Sequence, residues 1–275
     1  MNISDIIWFF LVIMFLFPIF QQRLIQARRF QMMRALEKKR KSRVITLIHR
    51  QETLSFLGLL FTKFIDIEDS EEILRAIRFT PENMPIDLII HTPGGLVIAA
   101  EQIARALSAH KAKVTVFVPH FAMSGGTLLA LSADEVVMDP HAILGRLDPQ
   151  INGMPAISII GVTHRKTINK IDDNTLIMAD ISQKAIKQIH SSLEEILPQN
   201  HYSDKITKEI ISSLASGDKT HDNSLTFDEA LKLGLRVSKD MPKEIYELLR
   251  FYEQKNFAQQ AVQYVPVPYK KRMSR

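Results

Sequence analysis

Residues 86–95 read IDLIIHTPGG, and residues 114–127 read VTVFVPHFAMSGGT. Each opens as an unbroken apolar run, Ile86–His91 and Val114–Val118, and closes on a turn carrying a pair of glycines. A run of that length without alternation is the mark of a strand covered on both faces, as in a parallel sheet. Helix-length stretches follow both turns, one through about residue 109 and one over 127–132. Upstream, residues 44–49 (VITLIH) predict a short strand. Residues 70–78 predict a helix that Ser70 caps, with Ile73, Leu74 and Ile77 on one face. Downstream, Glu135–Met138 (EVVM) is a further strand, and helices are expected at 176–197 and about 203–214. Residues 226–235 (TFDEALKLGL) read as a capped helix ending at Gly234. Strands and helices alternating through short connections predict an α/β fold with a mostly parallel sheet.

The chain has 275 residues, enough to bury a sizeable core. It contains no cysteine, which excludes disulfides, thiol nucleophiles, thiolate zinc sites and iron–sulfur clusters. No H-E-x-x-H, EF-hand or P-loop pattern occurs, so neither a metal nor another cofactor is expected. The net charge of +5 is unevenly spread. Residues 1–50 carry +8, residues 254–275 carry +5, and the stretch between them carries −8. An acidic body with basic ends argues against a nucleic-acid partner.

The basic flank follows an apolar one. Residues 6–20 read IIWFFLVIMFLFPIF, fifteen residues without a charge. That is slightly short of the roughly 17–25 residues that span a bilayer, although Met1–Ser4 side residues and Gln21-Gln22 can extend it. Positive charges follow this run instead of preceding it, which fits a cleaved signal peptide poorly. Arg23, Arg28, Arg29, Arg34 and the Lys38–Arg43 cluster predict a cell-membrane anchor with the N-terminus outside and the body in the cytoplasm. Residues 22–43, free of Gly and Pro, predict a basic helix lying near lipid headgroups or running through solvent.

Chemistry collects at the two turns. In parallel α/β sheets the carboxyl ends of strands are where reactive groups gather. Gly94-Gly95 allows close backbone approach and leaves N–H groups free at a helix start. Ser124 stands immediately before Gly125-Gly126 and a helix of small and apolar residues. This is the setting of a nucleophile on a strand-to-helix turn, with neighbouring N–H groups available for an oxyanion.

Taken together, HTPGG and AMSGGTLLALSADEVVMDPHAILG resemble the ClpP/crotonase superfamily. More narrowly, they resemble the signal peptide peptidase A-like and serine dehydrogenase proteinase groups of membrane-anchored serine proteases. The segments SADEVVMDPHAILGRLDPQI and THDNSLTFDEALKLGL extend the resemblance over about residues 44–252. It implies a ClpP/crotonase-like domain over 44–253, an anchor over 1–21, a juxtamembrane helix over 22–43 and a flexible basic tail over 254–275. It further implies Ser124 as nucleophile, the Gly95 and Gly125 N–H groups as oxyanion hole, and Gly94 and Gly126 as turn-shaping residues. Arg146 departs from the pattern, standing where a small residue or Pro is expected, which bears on the shape of the substrate groove. Relatives assemble into rings or trimer-based oligomers, so a homo-oligomer is implied.

The base that activates Ser124 has several candidates. In the Clp pattern a His follows the serine by about 25 residues, and residues 143–150 hold none. His120, His141, and His221 beside Asp222 remain as histidine candidates; His91 also flanks a Gly turn. In the signal peptide peptidase branch a lysine follows the serine by some forty to fifty residues. Lys166 and Lys170 fall in that window, and Lys184 lies further on. The chain is expected to turn helical after Pro155, and Lys166 matches best because residues 156–162 and the polar turn after them resemble the relatives' strand-to-lysine approach. A lysine base must be neutral, which requires burial or nearby positive charge to lower its pKa from about 10.4. The expected activity is ATP-independent hydrolysis of peptides or membrane-protein segments. Two other readings use the same fold. A crotonase-like acyl-CoA enzyme would need a carboxylate near the site, and an inactive oligomeric membrane scaffold would need no serine.

Overall fold

The computed structural model describes residues 3–49, 64–217, 220 and 223–252, without the side chains of residues 3–7, 9, 10 and 15. Its centre is a five-stranded parallel sheet. In chain order, β1 (Arg43–Ile48), β2 (Ile86–His91) and β3 (Val114–Val118) are followed by the short β4 (Phe121–Ala122) and by β5 (Glu135–Met138). Then come β6 (Ile143–Leu144), β7 (Gln150–Ile151), β8 (Met154–Pro155), β9 (Leu225–Thr226) and β10 (Val237–Ser238). The main sheet has the order β1-β2-β3-β5-β10, a second sheet has β4-β6-β9, and β7 pairs with β8.

The helices are α1 (Ile3–Arg40), α2 (Ile67–Arg78), α3 (Val97–Ser108), α4 (Gly125–Leu131), α5 (Ala156–Arg165), α6 (Asp173–Gln199), α7 (Asp204–Ala215), α8 (Phe227–Lys232) and α9 (Lys243–Arg250). Every residue of β2 and β3 is buried. Alternate side chains divide between two cores, as a pleat of period two requires. Leu88, Ile90, Val116 and Val118 join α3, α4, α6 and α7 on one face. Ile89, Phe117 and Val137 meet Leu36 of α1 and Ile245 and Leu248 of α9 on the other.

Two local expectations change. Helix α2 begins at Ile67, because Asp66 and Asp69 close a capping box on each other's backbone N–H groups. Ser70 therefore lies inside the helix, buried, its hydroxyl donating to Ile67 O. Residues 156–162 are helical, as expected after Pro155, so the strand-to-lysine approach that the resemblance implied is absent. Ala156, Ile159 and Ile160 are the buried residues of this helix, at the three- and four-residue spacing of one helix face. A short apolar run satisfies either period, and Pro155 before it decides for a helix start. His141 lies in the turn before β6, its backbone N–H donating to Asp139 Oδ1.

Helix α1 also joins what the sequence divided at residue 21. Its last turns dock on the body: Leu36 is 1% exposed, Lys39 pairs with Glu244, and Arg40 pairs with the buried Asp87, which also accepts from Ser42 Oγ at 2.6 Å. The last turns of the helix are thus held on the body, while Arg23, Leu24, Arg28 and Phe30 before them are exposed. Its first half projects Trp8, Met14, Leu16, Phe17 and Phe20, all more than half exposed. Among the described residues no helix is long and apolar enough to cross a membrane. The expected tail over 254–275 and the pair His221-Asp222 lie outside the described residues.

Candidate active site

The carboxyl ends of β2 and β3 open side by side. After β2 the chain passes through Thr92, which bridges to Ala122 of β4, and enters the Gly94-Gly95 turn. Residue 65 pairs with that turn: Ile65 N–H donates to Gly94 O at 2.7 Å, and Leu96 N–H donates to Ile65 O at 2.8 Å. The Gly95 N–H lies outside this ladder, on the other side of the backbone. The approach is too close for any side chain, since a Cβ on Gly95 would come within 2.2 Å of the Ile65 carbonyl oxygen.

Ser124 caps α4 with φ 49° and ψ −117°, a left-handed geometry that L-residues rarely adopt. The sharp turn lifts its side chain out of the helix axis and leaves the Gly125 N–H at the first helical position, without an intrahelical acceptor. A Cβ on Gly94, whose own φ is 100°, would stand 2.8 Å from the Ser124 Cβ and from the Met123 carbonyl oxygen. Gly94 is therefore what lets the serine sit against the neighbouring turn. Thr127 Oγ1 holds the start of α4 in place by donating to Ala122 O and Gly145 O at 2.8 and 3.0 Å.

A cavity of about 280 Å³ opens over these groups. Gly94, Gly95, Ser124 and Gly125 form its floor, with Phe64, Val97, Leu128, Leu147 and Ile189 among its walls. Backbone donors beside a hydroxyl, inside apolar walls, suit attack on a carbonyl whose oxygen becomes negative. Asp148 also lines the cavity, 6% exposed, and accepts from Gln150 Nε2 at 2.6 Å. It is the carboxylate among the described lining residues, and no sequence motif marks it beyond its place after the short strand β6. Arg146 is 5% exposed and off the cavity wall, bonded to the Ser213 carbonyl, Asn223 O and Asn223 Oδ1. Its place is in the packing of the 146–148 segment, so the groove does not meet its charge.

The candidate bases lie elsewhere in the single chain. Lys166 caps the C-terminus of α5, and Lys170 ends the 3-10 turn Ile168–Lys170; both are exposed. Lys184 is exposed on α6 and pairs with Asp180 at 2.5 Å. His120 is exposed between β3 and β4, its ring 5.4 Å from the buried His91 ring. None of these, nor His141, lines the cavity. Gly126 stands just behind it against Thr92. No group of three or more His, Asp or Glu among the described residues could hold a metal ion.

The family model described as ClpP-like SDH-type serine proteinase matches residues 1–275. The chain belongs to that family. Among relatives of this SDH-type proteinase, protein MJ1495 of Methanocaldococcus jannaschii is 51% identical over 275 residues, covering 100% of this chain and 94% of the relative. Protein MJ0137 of the same organism is 49% identical, covering 98% and 94%. A further match is "Probable protease SohB" of Haemophilus influenzae, 26% identical over 47% of this chain and 41% of the relative. Among solved structures, a mutant membrane-bound stomatin-specific protease in complex with a substrate peptide matches with a TM-score of 0.45 and 21% identity, covering 75% of this chain and 77% of the other.

Proposed function

We propose that the chain is a membrane-anchored serine peptidase that cleaves peptides or membrane-protein segments through an acyl-enzyme on Ser124. The observation that carries this reading is the cavity floor, where a serine on a strained turn stands beside two backbone N–H groups outside any ladder or helix bond, Gly95 and Gly125. These groups would receive the charge of the tetrahedral intermediate. Without a nucleotide-binding pattern in the chain, hydrolysis is expected to proceed without ATP.

Lys166 is the proposed general base. Its exposed place at the end of α5 suits a lysine that another copy of the chain covers, because a base must lose water to become neutral near pH 7. Ile157, Ile168, Ile177 and Ile181 lie exposed on the same α5–α6 edge, as a surface that meets another copy would. The active unit in this reading is a homo-oligomer. The exposed apolar residues of α1 between Trp8 and Phe20 would bury in the bilayer, with the basic side chains after them on the cytoplasmic side.

A fluorophosphonate probe tests the nucleophile: it should label the wild type and leave Ser124→Ala unlabelled. Equal labelling of the two would overturn the assignment. Ser124→Ala and Lys166→Ala chains, each inactive alone, should regain part of the activity when assembled together if Lys166 acts across subunits. A Lys166→Ala variant as active as wild type would remove it as the base. Labelling of the wild type also rejects the inactive-scaffold alternative.

A further inference from the structure

Behind the Gly94-Gly95 turn lies a row of polar groups that the proposed chemistry leaves unused. Asp69 Oδ2 is 3.1 Å from His49 Nε2, and His49 Nδ1 is 3.0 Å from Thr92 Oγ1. Gly94 N–H donates to that same hydroxyl oxygen over 3.2 Å. His49 is 6% exposed and Thr92 is fully buried. Three elements supply the row: the carboxyl end of β1, the first turn of α2 and the residue after β2.

Around a neutral imidazole the donors can run in one order only. A carboxylate has nothing to donate, so the ring proton sits on Nε2 and Nδ1 is left as an acceptor. Asp69 is held as a carboxylate: burial pushes its pKa up, but its hydrogen bonds to His49 and to the Asp66 N–H outweigh this and lower it. Thr92 then gives its hydroxyl proton to Nδ1, the nearer acceptor at 3.0 Å against 3.4 Å for Gly94 O, and keeps its lone pairs for the Gly94 N–H. This fixes the peptide between Pro93 and Gly94. The next peptide carries Gly94 O and the Gly95 N–H, and Ile65 N–H holds it from the oxygen side. A Gly-Gly pair imposes little preference of its own on either plane. Without the row, the Ile65 backbone alone would hold the Gly95 N–H toward the cavity, from the far side of the turn.

We propose that Asp69, His49 and Thr92 are positioning residues that lock the Gly94-Gly95 turn with the Gly95 N–H facing the cavity, so that the oxyanion site is formed before substrate arrives. The proposal rests on the reading of Gly95 as an oxyanion donor. None of the three touches the substrate; each acts through the next.

Thr92 provides the discriminating pair of variants. Thr92→Val keeps the methyl that packs where a Gly126 Cβ would come within 2.6 Å of Thr92 Cγ2, and loses the hydroxyl. Thr92→Ser keeps the hydroxyl and loses that methyl. Thr92→Val should lower kcat on a peptide or ester substrate by about 10- to 100-fold, with KM changed by no more than about twofold. Thr92→Ser should retain most of the activity. His49→Asn, which leaves an amide oxygen near the Nδ1 position, should retain more than His49→Ala.

The reverse order, with Val tolerated and Ser impaired, would mean packing alone and overturn the proposal, as would wild-type kcat in Thr92→Val. Fluorophosphonate separates this from the reading beneath it. A wild type that takes no label overturns the serine peptidase and the proposal together, whereas Thr92→Val labelled as fast as wild type overturns the positioning role only. One measurement needs no variant. With ¹⁵N-glycine incorporated at the ten glycines, the Gly94 amide should exchange with deuterium slowly, and fast exchange would overturn the lock.

Discussion

Ser124 carries a conformational cost that its position imposes. A non-glycine residue at φ 49°, ψ −117° is destabilising by about 1–3 kcal/mol, and the strain persists because the turns on both sides hold it. Ser124→Gly should therefore be more stable than Ser124→Ala by about 1 kcal/mol in chemical unfolding, while both variants lose labelling and hydrolysis. Equal stability would show that the turn is relaxed. The expected trade, a serine kept where glycine would be more stable, is the usual signature of a residue retained for chemistry.

At the scale of the element, the start of α2 has two duties. Asp69 closes the capping box with Asp66 and also faces His49. Its pKa is lower in the folded chain than the ordinary carboxylate value, so its contribution is complete above the unfolded value of about 3.9 and disappears as pH falls through the folded one. The wild type should lose unfolding free energy faster than Asp69→Asn as pH drops below about 5, and the two should converge in acid. Parallel curves would remove Asp69 as a stabilising carboxylate.

Elements buried on both faces, such as β2 and β3, were readable as strands because their apolar runs admit no other covering. The two-residue strands β4, β6 and β9 were not, since two residues carry no period. The start of α5 resembles a strand leading to Lys166 for the related reason that seven apolar-rich residues fit both periods. The same contrast holds in the site. Ser124 and the glycines are visible as local turn chemistry, but His49, Thr92 and Asp69 come together only when β1, β2 and α2 are packed. The rule that site residues gather at strand carboxyl ends could have singled out His49, which directly follows β1.

For the whole molecule, helix α1 decides how the body is carried. It is continuous over 38 residues, and past Pro18 the stretch from Phe20 to Leu36 has no further Pro or Gly to bend it. In the membrane-anchored reading, the full chain should sediment with membranes and resist extraction by salt and alkaline carbonate. Release by salt alone would mean a charge-held peripheral protein. Removal of residues before the docked turns should free the body without unfolding it.

The docking of Leu36, Lys39 and Arg40 onto the body turns that helix into a ruler. From Phe20 to Leu36 a helix rises about 24 Å, at roughly 1.5 Å for each residue. In the membrane-anchored reading, the cavity would then be carried at a set standoff from the bilayer, on a rod instead of a flexible leash. A membrane protein would have to offer a loop or tail long enough to cover that gap, and segments ending closer to the lipid would escape cleavage whatever their sequence.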